Sequence, residues 1–350
     1  MIKKTLKVGI SVFIGGFFLW LAFKNVSFDE LINYSRQMSY GWLIPYFFAL
    51  LFSHYFRSER WLLLLEEEKN VHPSRTTLFT GVMVGYLVNY AVPRLGEISR
   101  CVYVSRKEEN TTSTTLLGTV VLERIIDLIC LAIIMLIVAF YLVSDPEILR
   151  NIFGERMVNY LAGLYTFNSL LKILGVLAAM GILFSLLLKG LQHLAKKYAA
   201  IRLFYRKFKY LYRTFLEGLL ALRNVKNWWA FAGWTGLIWF GYILMVYIPF
   251  WMFDLQATYN LNMLDAVSIM AVASIGIVLP SPGGVGTYHF FVKQALLFLA
   301  AVPAVTGLAF GIITHGAMML IVFIISGVML WIDSSGSDDI FSVIRRSKAK

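Results

Sequence analysis

The sequence predicts an all-α polytopic membrane protein, with six full spans plus two re-entrant or broken helical hairpins related as an inverted repeat, about eight membrane segments. Three observations carry this. Hydrophobic residues make up 59% of the chain and charged residues only 15%, with a mean hydropathy of +0.70; a soluble domain carries about a quarter charged residues. Apolar runs long enough to enter a bilayer recur along the whole chain. Two of those runs are interrupted by proline and glycine at matching spacing. The net charge of +12 does not point to nucleic acid, because the basic residues cluster between apolar spans, the usual inside bias of membrane proteins.

Met1 to Lys7 is a short basic start, and residues 8–23 form the first span, extended by snorkelling of Lys7 and Lys24. With no small-x-small cleavage site before a soluble domain, we read it as a retained helix rather than a signal peptide. Residues 25–40 form an amphipathic connection. Residues 41–65 are the second span, with His54, Arg57, Glu59 and Arg60 towards its far end, and Glu66 to Arg75 is a charged loop. Residues 76–92 are apolar, with Gly81 and Gly85 in a GxxxG arrangement that permits close helix contact. Pro93 and Gly96 break the run, and an amphipathic segment continues to Lys107. After a polar stretch, Asn110 to Thr115, one long span runs over 114–143 and holds Glu123, Arg124 and Asp127.

Residues 144–168 form a loop of mixed charge and 169–188 a further span. Residues 189–227 hold ten Lys or Arg against a single acid, Glu217, and carry an amphipathic stripe from Ile201 to Leu222. That basic face suits an anionic leaflet surface, or else a cytoplasmic helix packed on its own bundle. Residues 228–250 are a Trp-rich span. Residues 251–265 are acidic, 266–279 are apolar and end at PSPGGVGTYHFF, a second apolar run follows to residue 300, and 303–332 is the last span. The domain is thus expected over 1–335, with a polar basic cytoplasmic tail over 336–350. Cys101 and Cys130 read as packing residues, since two cysteines make no disulfide framework.

With the ten-cation loop inside, both termini fall in the cytoplasm, provided that 76–107 and 266–300 each enter and leave on one side. The segments 89–107 and 276–294 also echo each other: Pro93 aligns with Pro280, Gly96 with Gly283, and Arg106 with Lys293. Three full spans separate them, so they enter from opposite faces, as in many secondary transporters. Broken backbone at membrane depth survives only when buried in protein or lining a polar cavity. The alternative is a pair of ordinary Pro-Gly loops at the membrane surface.

Glu123 and Asp127, four apart, share a helix face, and Arg124 lies three before Asp127. At about 1.5 Å per residue, Glu123 lies roughly 14 Å into its span, near the middle of the hydrocarbon. An unpaired charge there costs at least a few kcal/mol, so the cluster must find partners; Arg94, Arg100 and Glu97 on the neighbouring hairpin are the candidates. The outcome is either a closed salt-bridge network or a site with one or two cations left to hold a phosphate, which guanidinium matches in geometry. His54, His289 and His315 could add proton-linked switching.

PRLGEISR, a threonine and serine stretch, a VVLERIID helix and LPSPGGVGTYHFF, in this order and spacing over nearly the whole chain, resemble the lysylphosphatidylglycerol synthase transmembrane (flippase-like) family. The residues that match its pattern are Arg94, Gly96, Glu97, Arg100, Glu123, Arg124, Asp127, Pro282, Gly283, Gly284 and Gly286. The chain departs from it at His289, where many members carry an acid. The resemblance implies a multi-pass inner-membrane protein related to the lipid-translocating part of bifunctional aminoacyl-lipid synthases. Only a tail follows residue 335, so aminoacyl transfer is not expected.

The expected function is therefore lipid translocation. A phospholipid, aminoacyl-phospholipid or polyprenyl-linked glycolipid headgroup would bind at Arg94, Glu97, Arg100, Glu123, Arg124, Asp127 and His289. The breaks at Pro93, Gly96, Pro280, Pro282, Gly283, Gly284 and Gly286 would line the cavity. Expected partners are membrane lipids, anionic phospholipid or a lipid-linked headgroup, and not nucleic acid; homo-oligomerisation stays open. No metal or cofactor is expected, and no ATPase motif is present, so any drive comes from a gradient, the potential or a downstream reaction. The alternatives are a membrane-embedded headgroup transferase or hydrolase, for which no nucleophile and base pair stands out, and a non-transporting partner protein of a cell-envelope lipid pathway.

Overall fold

A computed structural model describes residues 2–65, 73–93, 95–108, 111–144, 202, 205–206 and 225–335. The expected span at 169–188, the tail over 336–350 and nearly all of the basic segment 189–227 lie outside the described residues. Among the described residues every regular element is helical. In chain order these are α1 (Ile2–Phe23), α2 (Phe28–Arg36), α3 (Leu43–Leu65), α4 (Arg75–Ala91), α5 (Gly96–Lys107) and α6 (Ser113–Ser144). They continue as α7 (Trp228–Met252), α8 (Leu255–Tyr259), α9 (Met263–Val278), α10 (Thr287–Ala300) and α11 (Ala304–Ser335), with short 3-10 turns at Tyr40–Trp42 and Pro282–Gly284.

Two described helices, α7 and α11, are long and apolar enough to cross a membrane, and α1 with α2, bent by 79° at their junction, makes a third candidate. The other long helices, α3 and α6, are about 35 and 48 Å in length and carry the charged residues considered below. The expected connection at 25–40 is largely the amphipathic helix α2. Ser27 caps it by accepting from the Glu30 amide, and Leu31 turns into the apolar core formed by α7, α9, α10 and α11.

Side-chain size explains how these helices come together. Gly81 and Gly85 face α5: a Cβ on Gly81 would lie 2.9 Å from the Val104 side chain, and one on Gly85 would lie 3.1 Å from the Gly96 carbonyl oxygen. The contacts pair Gly85 with Gly96 and Gly81 with Val104, so α4 and α5 form an antiparallel hairpin. Without a hydrophobic drive between helices in lipid, such small-residue contact is what holds them. The same device joins α3 to α7, where a Cβ on Gly241 would approach Ser53 Cβ to 2.9 Å. It also joins α9 to α10, where Gly276 packs on the backbone of Thr287 and Tyr288.

The two breaks differ in chemistry. At the second, Gly283, Gly284 and Gly286 have φ of +58°, +80° and +83°, a region that residues with a Cβ enter only at a cost. The first needs glycine for proximity instead: the Gly96 amide donates to Asn89 Oδ1 at 2.8 Å, and a Cβ there would run into the Gly85 carbonyl oxygen.

Both hairpins lie along α11. The α9–α10 hairpin opens where α10 ends and α11 begins, whereas the open end of α4–α5 is tied to the far end of α11 by Tyr103 and Lys107, both bonded to Asp333 at 2.8 and 2.9 Å. Their tips meet in between. The Tyr90 ring lies against Gly283, stacks on Phe323 of α11 and meets His315 edge-on.

These packings set different expectations for alanine at three glycines. Gly286→Ala must take a left-handed backbone and would clash with the Gly15 carbonyl oxygen, and Gly96→Ala would clash with Gly85; each should lose about 1–3 kcal/mol of stability. Gly118→Ala, in α6 with nothing within 4 Å of its added Cβ, should be neutral or gain up to about 1 kcal/mol. Thermal unfolding of the detergent-solubilised variants reads this order.

Candidate functional site

Five helices converge on one charged cluster. Arg57 and Arg60 come from α3, Glu97 and Arg100 from α5, and Glu123, Arg124 and Asp127 from α6. Helix α7 contributes Tyr242 and Thr235, seven residues apart and so on one face, and α4 contributes Tyr86 and Asn89.

Asp127 is the hub. Its two oxygens take Arg57 Nη2 at 3.0 Å and Arg60 Nη2 at 2.8 Å, and Arg124 approaches at 3.8 Å. Glu123, fully buried, pairs with Arg100 and lies 3.9 Å from Arg60 Nε. Glu97 takes Arg124 Nη2 at 2.9 Å. Arg57 Nη2 also donates to the Tyr242 hydroxyl at 2.8 Å, which lies 3.4 Å from the Tyr86 hydroxyl. The Arg100 guanidinium sits 4.6 Å over the Trp61 ring, whose Nε1 donates to Thr119 Oγ1. Such stacking favours arginine over lysine at that place.

Among the described residues, four guanidinium groups thus face three carboxylates. The imbalance shows again in hydrogen bonding. Arg57 Nε and Nη1, Arg60 Nε, Arg100 Nε and Arg124 Nε are buried without a hydrogen-bond partner, against the acceptors Glu97 Oε2 and Glu123 Oε1, of which Arg60 Nε and Glu123 Oε1 keep only their 3.9 Å ion pair. A buried donor left unmade costs about 1–3 kcal/mol, so the cluster holds unused capacity for an acceptor. Between α3, α4, α5 and α6 lies a narrow crevice lined by Arg57, Tyr86, Asn89, Glu97, Arg100 and Arg124. At about 10 Å³ it has room for roughly one water.

The structure therefore brings together Glu97, Arg100, Glu123, Arg124 and Asp127, with Gly96 on the crevice wall. Arg94 lies outside the described residues. Pro93 is at the tip of α4–α5, and Pro280, Pro282, Gly283, Gly284 and Gly286 form the tip of α9–α10. His289 belongs to that second tip rather than to the charged cluster: its Nδ1 accepts from the Gly286 amide at 3.2 Å, and its ring lies 5.0 Å from that of His315. His315 Nε2 donates to the Gly283 carbonyl at 2.9 Å. His54 is buried under the Tyr86 ring, and neither of its nitrogens has a partner.

Sequence reasoning did not place Arg57 and Arg60 in the site, although their spacing in an apolar span was the available signal. Tyr242, Tyr86 and Trp61 offered none, because aromatic residues in a membrane helix are usually packing.

The geometry describes a multi-pass membrane protein whose apolar helices enclose a paired but unbalanced charged site. The chain belongs to the family of the lysylphosphatidylglycerol synthase TM region, whose pattern matches residues 6–326. Membership ties it to membrane lipids. No curated protein and no solved structure matches the chain.

Removing one partner of a buried pair exposes the other uncompensated. Glu123→Ala, which strands Arg100, should cost about 3–5 kcal/mol. Glu97→Ala, at a carboxylate whose side chain is 23% exposed, should cost under about 1 kcal/mol. Thermal unfolding of the two variants in detergent, run side by side, measures the difference.

Proposed function

We propose that this protein is a flippase-like lipid translocator that passes a headgroup through the charged site while the acyl chains stay in the bilayer. The observation that carries the reading is the meeting of two broken hairpins, Tyr90 on Gly283, beside a cluster of ionised groups too costly to bury without a role. The hairpins open at opposite ends of α11 and run towards each other, which supports an inverted pair of re-entrant segments among six full spans. The pairing of Lys107 with Asp333 accords with both lying on the cytoplasmic side of an inner membrane, with both termini inside.

Arg57, Arg100 and Arg124 would receive the headgroup at the crevice, and Glu97, Glu123 and Asp127 would hold those cations when it leaves. The crevice admits about one water, so the described arrangement is a closed state. Passage requires the α4–α5 hairpin to part from α3 and α6. A second reading, a static salt-bridge lock that only fixes helix packing, is favoured by the same closure, with Glu123 shut off from solvent.

The experiment is a fluorescence-quenching assay in proteoliposomes with a nitrobenzoxadiazole-labelled phospholipid. Translocation exposes inner-leaflet label to external dithionite, so wild type should quench nearly all of the label and Arg100→Ala, if folded, only the outer half. Quenching of only the outer half with wild type, under pH gradients of either sign, overturns the transport reading in favour of the lock. Chemical conversion of the headgroup without movement overturns it in favour of an enzyme.

A further inference from the structure

We infer that the crevice selects a net-anionic phosphate headgroup and rejects one made cationic by an attached amino acid, an inference that rests on the headgroup-binding reading above. The argument is the distribution of charge around the crevice. Among the described residues, three guanidinium groups, Arg57, Arg100 and Arg124, line it against one carboxylate, Glu97. The other two carboxylates, Glu123 and Asp127, pair with Arg100 and Arg57 but are not among the residues that line the crevice. An arriving ligand therefore meets the cations first.

The donor set agrees. Arg57 has only 3% of its side chain exposed, and its Nη2 is fully used by Asp127 and Tyr242. Its Nε and Nη1, with Arg100 Nε and Arg124 Nε, remain unpartnered, while the crevice offers one spare carboxylate oxygen, Glu97 Oε2. Several unpartnered N–H donors on residues that line one crevice suit the acceptor oxygens of a phosphate, and guanidinium donates to phosphate at fixed angles. An ammonium group brings donors and positive charge to a wall that already has an excess of both. Charge selection follows from repulsion as much as from attraction.

Full-length protein in detergent, titrated with inorganic phosphate, phosphatidylglycerol, lysylphosphatidylglycerol and phosphatidylcholine, tests this through the thermal unfolding midpoint. Phosphatidylglycerol should raise the midpoint, phosphatidylcholine and lysylphosphatidylglycerol much less. Arg57→Gln should weaken the apparent affinity for phosphatidylglycerol roughly tenfold or more, by loss of charge-assisted hydrogen bonds. Glu97→Gln keeps the shape, removes the one carboxylate on the wall and should tighten it. This second variant sits at a partly exposed side chain, so it reports even if Arg57→Gln fails to fold. A merely structural network would weaken under either substitution.

Lysylphosphatidylglycerol acting as strongly as phosphatidylglycerol, or Glu97→Gln weakening it, overturns the selectivity. A response to inorganic phosphate equal to that for phosphatidylglycerol overturns the lipid as its source. No response to any of the four overturns headgroup binding itself.

Discussion

Among the described residues, three carboxylates and four guanidinium groups, held together between apolar helices, impose the constraint on which the rest of this structure depends. Ions taken out of water lose hydration worth several kcal/mol each and recover it only in close, well-made pairs. No single helix can supply those pairs: Arg57 and Arg60 must come from α3, Arg100 from α5, and Glu123 and Asp127 from α6. The network therefore decides which helices are neighbours. Glycine decides how near they come, at Gly81 and Gly85 against α5 and at Gly241 against α3.

The hairpins answer the same demand for the backbone. A helix broken inside a protein releases amide and carbonyl groups that must find partners wherever water is kept out. At the first tip the Asn89 side chain takes the Gly96 amide; at the second, the His315 ring donates to the Gly283 carbonyl and His289 accepts from the Gly286 amide. Thr287 Oγ1 donates to the Gly284 carbonyl in the same turn. Side chains thus stand in for the missing helix turns, and this gives His289 and His315 a structural task. Lys293 performs a similar service for α1, donating to the carbonyls of Leu21 and Ala22 at its C-terminal end, where a cation also opposes the helix dipole.

Much of this was legible in the amino-acid order. Long apolar runs mark α7 and α11 because a bilayer demands them, and the Pro-x-x-Gly breaks mark both hairpin tips, the second because its glycines take positive φ and the first because Gly96 packs against Gly85. Glu123 and Asp127 announced a partner by sitting four apart in an apolar helix. The identity of that partner was harder to read. Arg57 and Arg60 lie some 70 residues earlier in the chain, and nothing local says that α3 packs on α6. His289 read as a site residue from its position in the family pattern; its bond from the Gly286 amide depends on turn geometry and was not legible from residue type.

The central claim is that the cluster's unused donors exist to be used by a lipid. Quantitative mass spectrometry of lipids co-purifying with the full-length protein, compared with the lipids of the membrane it came from, tests this most directly. The account predicts a near-stoichiometric anionic phospholipid enriched over its bulk abundance, and loss of that enrichment when Arg57 is replaced by glutamine. Lipids recovered in their bulk proportions, unchanged by the replacement, would contradict it and leave the charged cluster as packing alone.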